Sequence, residues 1–159
     1  MAEIVWEHYI DVPVKGDESA VSALETRLDV KLPESVRRTI IDHAGEAPEP
    51  SGIQVGDKSI TTFGTVLYAG GTKDEARYSY SIERWVEAIA RWSGASDASQ
   101  LKLFPFATNT ATGYFCLDYR EDPAAPTIVF VDLNYDFDES TAILPVASDW
   151  EAMLAKLHD

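Results

Sequence analysis

Residues 113–119 read GYFCLDY and residues 127–133 read TIVFVDL, two extended runs separated by the turn segment REDPAAP. In an extended chain successive side chains alternate between faces, so Tyr114, Cys116 and Asp118 share one face and Phe115, Leu117 and Tyr119 the other. Pairing the runs as an antiparallel hairpin sets Asp118 beside the turn and Asp132 at the far end. About four rungs of ~3.4 Å then separate the two acids, more than the ~5 to 9.5 Å of a hydrolase carboxylate pair. Each acid is therefore expected to accept hydrogen bonds from a neighbouring turn or helix end, a structural role.

Cys116, the only cysteine, falls in mid-strand. A nucleophilic thiol needs an electropositive and partly exposed niche, such as a helix N-terminus or a neighbouring imidazolium. The three histidines, His8, His43 and His158, are spread over an extended segment, a helix end and the tail. A packed core thiol is the default reading, and a hydrolase using Cys116 or an acid pair is the competing one.

Outward from this hairpin, 101–107 is a further apolar strand, and β-branched and aromatic runs between 53 and 68 are punctuated by Gly56-Asp57 and Gly64. Residues 4–14 alternate as an extended N-terminal arm or strand, assigned to 1–16. Asp17 suits the cap of a helix bearing Val21, Leu24 and Leu28 and ending near Asp29. In KLPESVRRTIIDHAG, Pro33 suits a first helical position, Val36, Ile40, Ile41 and Ala44 share a face, and Gly45 is a stop. Arg37 and Arg38 read as solvated face. EAPEPSG reads as a loop, Ser81 as the cap of a helix with Ile82, Trp85, Val86 and Ile89 on one stripe, and SGASDASQ as a surface loop. Ser148 and Glu151 form a capping box before a closing helix. The expected fold is α+β: one domain over 1–159, with a mostly antiparallel twisted sheet and about four helices.

The formal charge is −14, from 13 basic and 27 acidic residues. A field of that sign repels phosphate backbones and anionic headgroups, which argues against nucleic-acid and membrane binding. Two readings stay open, solubility and complementarity to a basic protein partner. The absence of a ~20-residue apolar run, of a secretory leader in MAEIVWEHYIDV, and of a second cysteine sets the expected location as the cytoplasm.

Cofactor and metal motifs fail one by one. Asp132, Asn134, Asp136 and Asp138 alternate as in a calcium loop, but the sixth position is Phe137 and the twelfth Ile143, where glycine and glutamate belong. One cysteine and three isolated histidines do not make a zinc site. Gly70-Gly71-Thr72-Lys73 lacks the glycine that would cradle a phosphate and reads as a turn. No metal, cofactor or catalytic residue is assigned. Trp85 and Trp150 read as core, whereas Trp6 and Trp92, near element ends, are open to burial or an interface.

Four segments in order carry a resemblance: Leu32-Pro33-Glu34 at a helix junction, Phe104-Pro105-Phe106-Ala107, Gly113 to Asp118, and Val146-Ala147-Ser148-Asp149-Trp150 before the last helix. Over residues 18–48 and 101–157 the chain resembles the SUKH superfamily, the domain of the yeast cell-wall assembly regulator and of many bacterial immunity proteins. It departs at His43-Ala44-Gly45-Glu46 and at Val131-Asp132-Leu133-Asn134, which bears on the subfamily. The resemblance implies a non-enzymatic binding protein that captures and neutralises a polymorphic toxin, many of which are basic nucleases. The alternative is a regulatory interaction scaffold of the same fold. The expected contact surface is the loop after the 127–133 strand, where Asp132, Asp136, Asp138 and Glu139 would meet lysines and arginines. Asn134 lies among them, and Tyr135 and Phe137 would serve as anchors.

Overall fold

The computed structural model describes residues 3–13, 16–57, 59–109 and 111–159. Residues 1, 2, 14 and 15 of the expected arm lie outside them.

Helix α1 (Glu18–Leu28) starts where the Asp17 carboxylate accepts from the Ala20 N–H at 3.0 Å, and ends at Asp29 in the left-handed conformation. It buries Val21, Leu24 and Leu28. Helix α2 (Glu34–His43) follows, with Pro33 just before its first turn and Val36, Thr39, Ile40 and Ile41 inward. The junction is tied by side chains: Glu25 accepts from the Leu32 N–H at 2.8 Å and from Arg37 at 2.6 Å, and the Tyr119 hydroxyl donates to the Lys31 carbonyl at 2.8 Å. Arg38 is solvated as expected, but Arg37 is not. Its side chain is only 18% exposed, because the Glu25 carboxylate draws it inward.

Strands β1 (Val5–His8) and β2 (Glu46–Glu49) pair antiparallel, as do β3 (Gly52–Val55) and β4 (Ser59–Thr62). The main sheet is antiparallel throughout in the order β5 (Thr65–Val66), β6 (Leu103–Thr108), β7 (Gly113–Asp118), β8 (Thr127–Asp132) and β9 (Ile143–Ala147). The β7–β8 register pairs Gly113 with Asp132 and Asp118 with Thr127, so the two acids stand at opposite ends of the hairpin. Gly113 has to be glycine, since a Cβ there would run into the Phe130 ring. A short 3-10 turn (Tyr78–Tyr80) leads into α3 (Ile82–Ser93), capped by the Ser81 hydroxyl. Then come α4 (Ala98–Leu101) and, at the end, α5 (Trp150–Lys156).

Four expectations need correction. EAPEPSG is not a loop throughout, because its first residues form β2, and β9 forms a strand that its sequence does not announce. Both contain a proline (Pro48, Pro145), and both lie at a sheet edge, where a missing N–H is tolerated. In SGASDASQ, Asp97 caps the single turn α4, which exists to bury Leu101. At α5 the cap is Asp149, whose carboxylate takes the Ala152 N–H at 2.8 Å, rather than Ser148.

The sheet separates two apolar clusters. Phe104, Phe106, Phe115, Leu117, Ile128 and Phe130 join the buried residues of α1, α2 and α5 in the larger one. Leu103, Tyr114, Cys116, Val129 and Val131 face Ile89 of α3 and Leu101 of α4 in the smaller.

Candidate functional site

The expected site residues fall in the connection between β8 and β9, which is folded rather than loose. At its base the Asp132 N–H donates to the Ala142 carbonyl at 2.8 Å. The Asp132 carboxylate accepts from the Asn134 N–H at 3.0 Å, and the Asn134 amide donates at 2.7 Å to the Thr112 hydroxyl on the β6–β7 turn. Thr112 in turn donates to Asp132 at 3.4 Å. A second turn closes further out, where the Asp136 N–H donates to the Glu139 carboxylate at 3.1 Å and the Glu139 N–H to the Asp136 carbonyl at 2.9 Å. Asp118, at the opposite end of the hairpin, accepts from the Arg120 N–H and binds its guanidinium through two contacts of 2.9 Å. Asp118 and Asp132 both have the turn-bonding role read from their positions.

A residue outside the expected set fastens this loop to the body. Trp92, in the last turn of α3, donates its indole N–H to the Tyr135 carbonyl at 2.7 Å, and its ring meets Phe137 edge-on at 5.2 Å. Phe137 is thereby turned partly inward, over a cavity of about 270 Å³ that also touches Gln100 and Arg120. Tyr135 and Phe137 nonetheless remain 41% and 38% exposed, unusual for large apolar rings in this molecule. Asn134, Asp136, Asp138 and Glu139 are exposed and Asp132 half-exposed. None of Asp136, Asp138 and Glu139 makes an ion pair with another described residue, and residues 121–155 contain no Lys or Arg. The result is an uncompensated acidic surface with two aromatic rings set in it at fixed places.

Cys116 lies in the smaller cluster, wholly buried, and burial pushes its thiol far above the usual range, with the Asp118 charge adding to the effect. The described histidine contacts are elsewhere: His8 with Asp11, His43 with Glu46 and Trp6, and His158 with the Asp159 carbonyl. A thiol in this position is packing. Among the described residues, no group of three or more His, Cys, Asp or Glu is arranged to hold a metal ion, and no helix is long and apolar enough to cross a membrane.

A family model described as "SMI1 / KNR4 family (SUKH-1)" matches residues 15–156. The chain belongs to this family. The match takes in every described helix and every described strand except β1, and it includes the 132–139 loop. Comparison with curated proteins and with solved structures gives no match.

Trp92 is the member whose place near a helix end leaves both burial and an interface open in the sequence. Its signal was its spacing from Trp85: seven residues, two turns, the same side of α3. Thr112 carried no comparable signal, since only the folded β6–β7 turn brings it to Asp132.

Proposed function

We propose that this SUKH-1 protein is an immunity protein of the cell interior, which binds a basic, nuclease-like toxin domain and occludes it, with the 132–139 loop as the main contact. The observation that carries this reading is the loop itself. Exposed carboxylates with no ion pair to another described residue surround Tyr135 and Phe137, and Trp92 fixes the segment so that little ordering is left to be done on binding. Charge complementarity of this kind raises association rates by ~10 to 10³-fold through steering, and aromatic rings at the centre of such a patch supply the contact area that holds the complex. No catalytic step is involved.

The test is growth rescue. The proposed partner, a basic nuclease-like toxin domain, is expressed alone, with the wild-type protein, and with the variant Asp136→Asn/Asp138→Asn/Glu139→Gln. Rescue by the wild type and its loss in the variant, with an unchanged far-UV spectrum, is the expected result. Rescue by both proteins would remove the loop from the contact, and rescue by neither would remove the immunity function.

A further inference from the structure

Trp92 has a counterpart two turns earlier on α3. Trp85 donates its indole N–H to the Ser79 carbonyl at 2.7 Å and stacks on Tyr114 with ring centroids 4.1 Å apart. Beside this stack is a cavity of about 210 Å³ walled by Tyr9 of the N-terminal arm, Tyr80 of the 3-10 turn, Trp85 and Tyr114. That volume is below the ~300 Å³ at which pockets for drug-sized ligands begin, and it suits a single side chain.

Among the described residues, the lining holds no ionisable acid or base other than phenols. The amide of Asn109 at its edge is spent, its oxygen on the N–H groups of Ala111 and Gly113 and its nitrogen on Thr61. The hydroxyls of Tyr80 and Tyr114 make no hydrogen bond to another described residue. Tyr114 is 5% exposed, and its burial keeps the phenol protonated. With Trp85 covered by Tyr114 and Arg84, what the pocket offers is the rings of Tyr9 and Tyr80 and neutral hydroxyl oxygens, surroundings that favour a flat cation able to stack and donate at once. The cluster already accepts such a group on its rim, since the Arg84 guanidinium lies 4.8 Å from the centre of the Trp85 ring. The pocket also adjoins the acidic loop, because the turn that supplies Asn109 and Ala111 to the pocket supplies Thr112 to the Asp132–Asn134 network.

We infer that the Tyr9–Tyr80–Trp85–Tyr114 pocket receives one arginine side chain of the protein partner, as a second contact next to the acidic loop. The inference rests on the binding function proposed above and adds the identity of the group inserted.

The probe is N-acetyl-arginine methylamide, titrated into the full chain and followed by NMR at the Trp85 indole N–H and the Tyr114 ring. The neutral citrulline analogue is the control. Saturable shifts at both groups are expected, at least ~5-fold weaker for citrulline, and weakened by Tyr80→Ala and by Tyr114→Phe, which removes only a hydroxyl. Shifts equal for the two probes, indifferent to both variants, or absent would overturn the proposal. The loop variant Asp136→Asn/Asp138→Asn/Glu139→Gln should leave the probe shifts in place. Failure of growth rescue with intact probe binding therefore counts against the immunity function, and rescue without probe binding counts against the pocket.

Discussion

On one face of the five-stranded sheet, Phe115 packs against Phe63 at 5.0 Å and Phe130 at 5.2 Å, in a cluster that runs on into α1, α2 and α5. On the other, Tyr114, Cys116, Val129 and Val131 meet a smaller set drawn from α3 and α4, and the margin is finished by Trp85 and Trp92, each only partly buried. The first face spends its aromatic residues on interior contact. The second leaves rings at the surface and uses the two indole N–H groups to hold two connecting segments in place. A side chain on the first face thus contributes mainly to stability, and one at the margin of the second mainly to the shape of a surface.

Substitutions graded by effect would break or sharpen that contrast. The largest loss is expected from Phe115→Ala, about 3 to 5 kcal/mol by denaturant unfolding. A loss under about 1 kcal/mol would mean the first face is not the stability core. Next comes Glu25→Ala, which leaves the Leu32 N–H and the largely buried Arg37 without their acceptor. We expect a loss of about 1 to 3 kcal/mol and a matching drop in melting temperature. Trp92→Phe keeps a ring against Phe137 but removes the bond to the Tyr135 carbonyl. About 0.5 to 1.5 kcal/mol is expected, read as faster amide exchange over residues 135–142 with no change at Phe115. If exchange quickened equally everywhere, Trp92 would belong to the core and not to the loop. Asp136→Asn/Asp138→Asn/Glu139→Gln should change stability least, by about 0.5 kcal/mol or less, while abolishing the partner binding proposed above.

The same contrast governs how much could be read in advance. The main hairpin was legible because GYFCLDY and TIVFVDL carry period-two patterns with no interruption, and its register followed from the turn between them. α1, α2 and α3 were legible because Asp17, Ser81 and the helical apolar stripes are local signals. β2 and β9 were hidden by Pro48 and Pro145, since proline argues against a strand unless the strand is known to lie at an edge, and edges are set by tertiary pairing. Arg37 was misread for a related reason, because its partner Glu25 is twelve residues away on another helix. At the candidate site, the acids and exposed rings stood out in the sequence. The parts that make them a surface did not, because Trp92, Thr112 and the Tyr9–Tyr80–Tyr114 pocket are assembled from segments far apart in the chain.

The most direct measurement is hydrogen–deuterium exchange of the protein alone and in complex with the basic toxin domain proposed as its partner. If the second face is the binding face, exchange slows on complex formation over residues 132–142, 78–85 and 109–114 and is unchanged over 18–43. Protection confined to α1 and α2, with the loop exchanging as in the free protein, would contradict it.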